Sequence, residues 1–391
     1  MACEKLILKN NGSTTAKFTY RGCANNTLYS NISIAPNEIK QIWAKEGTYF
    51  TESQSIEKLK PTIITSTICT TSPSLRVTFE SQTVEWFIEG SSNFKMVVDW
   101  GDGIVSVFDG LSSYTPSHTY LTTDNYIANI TFNNTNIITN LNLGYNGGNG
   151  ISEVSGVNIL TNLVYLYLYN NLLTSFNPIL ELPSTLKELD LSNNPIISFD
   201  PTYELPSQLD YLGLYSTNIS VFDPTLPLPS TIRNLKLDNN NIEVFNPTLP
   251  LPSNLENLIL FNNQISEFNP TLPLPSNLLS IDLSNNALTT FNPTQTLPIT
   301  LLGLNLSGNL LDQFYPNNYL PLSIINLNIS SNILTEFGVN NALIFLDNNG
   351  FSGGTFYLNG TGNHVVTSGP PDGLTALFNL ISRGCTLFVN T

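Results

Sequence analysis

The sequence predicts a mostly β chain: a solenoid of 23-residue repeats, preceded by two small β-sandwich modules and closed by a short C-terminal helix–strand cap. Three observations predict it. An apolar-x-apolar pair recurs eight times at a constant 23-residue step, from Leu166/Leu168 to Leu327/Ile329. Between the pairs runs a return of the form FNPTLPLPS. Its prolines lie two to three residues apart, remove backbone donors and bias their predecessors to extended geometry, so the return is not helical. Ahead of the array lie short segments rich in β-branched and aromatic residues, the composition of strands.

Residues 1–50 alternate in EKLILKN, AKFTYRG and IKQIWAKEGTYF, which predicts a small β-sandwich. Residues 51–74, with Pro61 and Pro73 among many Ser and Thr, read as a linker or extended arm. These 74 residues hold eight of the chain's 14 basic residues and five acids, a net of 8 − 5 = +3. The whole chain carries −15, so the remainder carries −15 − 3 = −18. Such asymmetry suggests that the two ends meet different partners.

Residues 75–138 change texture. LRVTFE (75–80), VEWFIEG (84–90) and FKMVVDW (94–100) read as strands, followed by DWGDG at 99–103, HTY at 118–120 and YIANITF at 126–132. This segment resembles the PKD-type immunoglobulin-like sandwich, whose mark is a WGDG turn followed by HTY and a closing strand. The resemblance implies a structural role for the motif. Asp99 and Asp102 are expected to bond their own turn backbone rather than hold calcium.

The repeats occupy 139–349, with regular copies over 163–337. A leading apolar residue sits three before each pair, and phenylalanine recurs in phase from Phe176 to Phe337. A proline follows two residues after the phenylalanine from Pro178 to Pro316. The unit resembles the leucine-rich repeat, and its Leu-Pro-rich return is similar to the short repeats of bacterial effector proteins. Both leucines of each pair point inward from a short strand. The resemblance implies that Asn171, Asn194, Asn240, Asn263, Asn286, Asn309 and Asn332 form a hydrogen-bonded ladder in the turns after the strands. Thr217 replaces asparagine once, so the ladder is expected to weaken in that copy. The phenylalanines are expected to stack as a spine, Phe337 included. An irregular copy (Leu141, Leu143) precedes the array, and a shorter one is expected at Leu343–Asn349. Atypical end copies suit a solenoid that must be capped. Residues 350–391 read as the cap: Leu374, Leu377, Leu380 and Ile381 fit one helical face, Gly384 fits a C-cap, and 385–390 alternates as a strand.

Chemistry is sparse. Charged residues make up 11% of the chain, and polarity rests instead on 53 asparagines and many hydroxyls. Two histidines and four cysteines without a CxxC pair leave little for a metal site, and no metal or cofactor is expected. Cys3 and Cys23 are close enough in sequence to meet across a small sheet, but free thiols are expected if the chain folds in a cytosol. No GxSxG, HExxH or P-loop occurs. Asp190 and Asp282 are four repeats apart, about 20 Å at about 4.8 Å per strand, too far for a carboxylate pair. Glu188 and Asp190 share one strand and need no catalytic explanation. A non-enzymatic protein is expected. Net negative charge argues against nucleic acid, no run of about 18 apolar residues predicts a membrane span, and the start shows no secretory signal.

Residues flanking each leucine pair point away from the core, and their character is graded. The first three copies carry Tyr165, Tyr167, Tyr169, Tyr211 and Tyr215, the fifth carries Phe261, and the last three carry small or amide side chains plus Asp282. Tyrosine offers apolar area with a polar tip and is common at binding surfaces. This face is therefore a docking surface for protein or glycan, or else the side on which the repeats pack against the preceding module. The layout resembles virion-associated surface proteins of tailed bacteriophages. That resemblance implies a protein at the virion surface, made in the host cytoplasm, whose residues 1–74 contact other virion proteins while the repeats decorate the capsid or bind a host surface protein or glycan. A bacterial surface adhesin or effector built on the same repeats is the alternative. No heptad segment drives a trimer, and oligomeric state is left open.

Overall fold

The structure, a computed structural model, describes residues 3–10, 13–21, 28–36, 39–45, 50–51, 56–59, 74–145, 148–176, 181–316 and 320–390. Most of the expected linker and the Cys3–Cys23 pairing lie outside the described residues. The chain divides into two compact units, one of residues 1–139 and 149–161, the other of residues 140–148 and 162–391.

In the first unit, β1 (Cys3–Asn10), β2 (Ala16–Arg21), β3 (Leu28–Ile34), β4 (Ile39–Lys45), β5 (Phe50–Thr51) and β6 (Ile56–Leu59) form two three-stranded antiparallel sheets, ordered β4-β1-β6 and β3-β2-β5. Next come β7 (Leu75–Glu80), β8 (Thr83–Glu85), β9 (Phe87–Asp99), β10 (Val105–Tyr114), β11 (Ser117–Thr119) and β12 (Asn125–Phe132). β7, β12, β9 and β10 pair in that order, and β8 pairs with β11. Trp86, Trp100, Phe79 and Tyr120 fill the core between them, each 2% exposed or less.

The DWGDG turn is held by its own side chains: Asp99 Oδ1 accepts from Gly101 N, and Asp102 Oδ1 accepts from Ile104 N. Asp102 also meets His118 Nε2 at 2.8 Å, and His118 stacks on Trp100 at 5.0 Å. Gly101 has φ +85°, and a Cβ there would lie 2.5 Å from the Ile127 carbonyl oxygen, so the turn needs glycine. Two details differ from the sequence reading. β9 runs unbroken through Gly90–Asn93, where separate strands were expected, because pairing with β10 continues on both sides of that polar stretch. β13 (Ile138–Asn142) is followed by β14 (Ile151–Ser155), which pairs with β7 rather than joining the repeats, as Ile151 and Val154 face Phe79 and Val77 across the ladder.

The second unit is a parallel β-solenoid of 23-residue turns. Residues 140–142 of β13 pair with β15 (Tyr165–Tyr167), and there follow β16 (Glu188–Asp190), β17 (Tyr211–Gly213), β18 (Asn234–Lys236), β19 (Asn257–Ile259), β20 (Ser280–Asp282), β21 (Gly303–Asn305) and β22 (Asn326–Asn328). Register is constant: Leu166, Leu189, Leu212, Leu235, Leu258, Ile281, Leu304 and Leu327 align, each 1% exposed or less. Three-residue strands are marginal alone, so each copy depends on its neighbours' backbone bonds and on the shared leucine core.

Three side-chain systems link successive copies. In the first, Asn194 Nδ2 donates to Leu168 O of the preceding copy (2.9 Å) and to Leu191 O of its own (3.0 Å), while its Oδ1 accepts from Leu173 N (3.0 Å). Asn171, Asn240, Asn263, Asn286, Asn309 and Asn332 likewise donate to the preceding copy's carbonyl. The residue before each ladder position is left-handed: Asn170, Asn193, Ser216, Asn239, Asn262, Asn285, Gly308 and Ser331 all have positive φ, which asparagine tolerates better than most residues. Thr217 bonds Leu214 O and Asn240, but none of its hydrogen bonds reaches back to the preceding copy. Thr217→Asn, with its amide able to reach the Leu191 carbonyl and the Ile196 N–H, should raise stability by about 1 kcal/mol. Urea denaturation checks this, and a lower midpoint would mean that the site has no room for the longer side chain.

The second system is the phenylalanine spine. Phe199, Phe222, Phe245, Phe268, Phe291 and Phe314 stack at 6.2–6.5 Å with rings within 18° of parallel. The third lies in the proline-rich returns: Thr225, Thr248, Thr271 and Thr294 each donate backbone N and Oγ1 to Asp200, Asp223, Asn246 and Asn269 of the preceding copy.

The C-terminal end departs from the repeat. α1 (Glu336–Asn348) replaces the eighth return, so the short copy expected at Leu343–Asn349 is helix. Thr335 caps it by accepting from Gly338 N, and Val339, Ala342, Leu343 and Leu346 form its buried face. Phe337 therefore leaves the spine and is 57% exposed, and Phe345 of α1 meets Phe314 edge-on instead. The solenoid continues with β23 (Thr355–Tyr357) and, after α2 (Gly373–Ser382), β24 (Thr386–Phe388), both parallel. Asp372 caps α2 and Gly384 follows it at φ +82°. The buried face of α2 holds Ala376 and Leu380, while Ile381 is 50% exposed. Arg383 ties this cap to α1 through Asp347 Oδ1 at 2.6 Å and the Phe351 carbonyl at 2.8 Å.

Candidate functional site

Alternation along each three-residue strand sends the leucine into the core and its two neighbours to the opposite face. Parallel pairing then stacks those neighbours in rows about 4.8 Å apart. The middle row runs Asn142, Tyr167, Asp190, Gly213, Lys236, Ile259 and Asp282. Glu188 and Tyr211 flank it on one side, Tyr169, Ser192, Tyr215 and Asp238 on the other.

The five tyrosines are all half-buried. Tyr165, Tyr167 and Tyr169 stand side by side with ring centroids 6.1 and 6.3 Å apart. Tyr167 donates its hydroxyl to Glu188 Oε2 at 2.6 Å, and Tyr169 accepts from Asn142 Nδ2 at 3.2 Å. Gly144 makes room for Tyr169, whose ring would lie 2.8 Å from a Cβ there. Three strands on, Lys236 Nζ of β18 sits 5.6 Å from the Tyr211 ring centroid and 5.7 Å from that of Tyr215. Gly213 lies between those rings, and a Cβ there would come within 2.7 Å of Asp190 Oδ1 and 2.9 Å of the Tyr211 hydroxyl. Phe261 is half-buried on β19's flank and makes no ring contact with these tyrosines among the described residues.

Burial sets the electrostatics. It pushes the Tyr167 hydroxyl well above the ordinary phenol value, aided by its bond to Glu188, and pushes Tyr211 up with help from the Asp190 charge. Asp190 and Asp238 are likewise raised by burial, against the opposing pull of the hydrogen bonds from Ser192 and Asn239 and of Lys236. A carboxyl whose folded pKa is raised contributes its full stability below the unfolded value, near 3.9, and loses it as pH rises through the folded value. Asp190→Asn keeps the oxygen that accepts from Ser192 N and Oγ and removes the charge. The variant should therefore be more stable than the parent at pH 7, with the advantage shrinking toward pH 4. Melting curves at both pH values check it, and an equal loss at each would show that the charge itself is needed for folding.

The structure brings the five tyrosines into two groups around Glu188, Asp190 and Lys236; the ladder asparagines lie buried in the turns after the strands. Sequence reading missed four participants. Lys236 is the first, a residue flanked by Leu235 and Leu237. Tyr357 and Phe388 extend the middle row at the far end, their rings stacked at 4.8 Å. Asn363 continues the ladder by donating to Ile329 O at 3.1 Å. Their signals were Phe356/Leu358 and Leu387/Val389, and an asparagine five rather than three residues after the pair. Among the described residues, no group of three or more metal-ligating side chains occurs, and no helix is long and apolar enough to cross a membrane.

Fold and face together define a parallel β-solenoid of 23-residue leucine-rich turns with an aromatic strand face. No protein-family model matches the chain, and no curated protein does. Among solved structures, the leucine-rich effector protein YopM of Yersinia pestis is similar at 22% identity and a TM-score of 0.37, over 58% of this chain and 67% of that one. YopM of Yersinia enterocolitica WA-314 is similar at 22% identity and a TM-score of 0.24, over 45% of this chain and 52% of that one. A leucine-rich-repeat protein of Leptospira interrogans is similar at 19% identity and a TM-score of 0.26, over 60% and 75%.

Proposed function

We propose that this chain is a non-enzymatic binding protein that presents the strand face of its early repeats to a protein or glycan partner. One observation carries the reading: five half-buried tyrosines on β15 and β17 and the turns after them, four held by neighbouring polar and charged groups and Tyr165 stacked beside Tyr167. Rigid tyrosines bind at low entropic cost because little side-chain freedom is left to lose. The double variant Tyr167→Ser/Tyr211→Ser should weaken binding to a purified partner at least about tenfold. Unchanged binding with a lowered melting temperature would assign these residues to packing instead.

The finer placement is a virion surface of a tailed phage, with residues 1–74 anchoring the chain to other virion proteins, a PKD-like spacer following, and the repeats decorating the capsid or attaching to a host. The charge contrast of +3 against −18 and the module order support it. Immunogold labelling with antibodies to the full chain tests this placement. Label on phage particles is expected; label confined to a bacterial envelope or the medium would favour the adhesin or effector reading.

A further inference from the structure

We propose that the tyrosine strand face takes a cationic side chain, the guanidinium or ammonium of a basic protein segment, against the Tyr211 and Tyr215 rings and the Asp190 carboxylate. This rests on the reading of that face as a docking surface and names the chemistry it selects.

Lys236 already shows what the rings accept. Its ammonium lies within 6 Å of both centroids, the range in which a cation is attracted to an aromatic face. The chain thus holds one cation of its own where a partner's would sit. That one cation does not balance the site. Asp190, two strands away in the same row, and Asp238 both feel the Lys236 charge, two carboxylates to one ammonium. Arg233, the nearest arginine in sequence, is committed to the flank, where it meets Asp210 at 3.5 Å and Glu256 at 3.9 Å. Asp190 is 9% exposed, yet both its hydrogen bonds from Ser192 fall on Oδ1, leaving Oδ2 without one among the described residues. Gly213 keeps this carboxylate and the Tyr211 hydroxyl close together. A desolvated carboxylate with an open oxygen beside two aromatic faces suits a guanidinium, which bonds the oxygen in its plane and stacks on a ring. The chain's charge of −15 would steer a basic partner toward it.

Fluorescence anisotropy with the full chain and a fluorescein-labelled peptide of alternating arginine and glycine, in about 0.15 M salt, tests the inference. Lys236→Met should tighten the peptide several-fold by vacating the rings, and Tyr211→Ser should weaken it about tenfold. Asp190→Asn, which retains its fold by the argument above, should also weaken it. Lys187→Met makes the same charge change away from the face and should leave affinity within about twofold. Tightening by Lys187→Met equal to that by Lys236→Met would reduce the effect to bulk charge and overturn the inference, as would peptide binding unaffected by both Tyr211→Ser and Asp190→Asn. Binding of neutral maltohexaose but not of the peptide would also overturn the cationic class while leaving the docking surface in place. If neither probe binds, the inference falls, and the double tyrosine variant alone decides the docking reading.

Discussion

Asn240→Ala should cost about 3–5 kcal/mol of unfolding free energy, among the largest losses available to a single polar substitution here. Asn240 is buried between two copies and uses its whole amide. Nδ2 donates to Leu214 O, Leu237 O and Asp238 O, and Oδ1 accepts from Thr217 N, Thr217 Oγ1 and Ile219 N. Alanine removes all of these at once and strands two backbone N–H groups in a buried seam, at about 1–3 kcal/mol each. The loss should exceed that of Asn309→Ala, because copy 3 already relies on Asn240 where Thr217 gives no backward bond. Urea unfolding of both variants checks the order. A loss below about 1 kcal/mol for Asn240→Ala would mean that water replaces the amide at that seam.

Phe245→Ala should cost a comparable 3–5 kcal/mol or so, by a different route. Phe245 is 1% exposed and stacks on Phe222 at 6.4 Å and on Phe268 at 6.2 Å. Truncation leaves a ring-sized void bounded by two rigid neighbours, each held in turn by the next ring. The site cannot collapse without breaking the register of the strands, so the cavity contribution should be near its full size. Phe337→Ala is the contrast: that ring is 57% exposed and its loss should stay within about 0.5 kcal/mol. Equal effects at the two positions would refute the exposed placement of Phe337.

The contrast shows where sequence was informative. Copies 1 to 7 were legible because leucine phase, turn residue and proline return repeat together, so each copy is read seven times over. Phe337 kept the 23-residue phase by coincidence of spacing. What it lacks is the proline two residues on: Val339 stands there, its N–H donates to Thr335 O, and nothing forbids the helix. Thr335, Glu336 and the apolar spacing Val339, Ala342, Leu343, Leu346 were helix signals masked by the stronger period. β24 was visible as an alternating strand, but its membership in the solenoid rests on pairing with β23, and its Leu387/Val389 pair lies 31 residues after Phe356/Leu358, off the 23-residue step. Of the site, the tyrosines were legible from alternation alone. The Lys236 ammonium over two rings depends on where a long flexible side chain comes to rest, which spacing does not fix.

The three ladders also bear on how such a chain is inherited. Asn194, Thr225 and Phe222 each engage a neighbour one copy away through contacts that recur, almost unchanged, one copy later. A duplication or loss of one whole 23-residue block within the regular array would present each new boundary with a surface it already fits. Recombination between copies could therefore lengthen or shorten the array, moving the tyrosines nearer to or farther from the cap, without a new core having to be found.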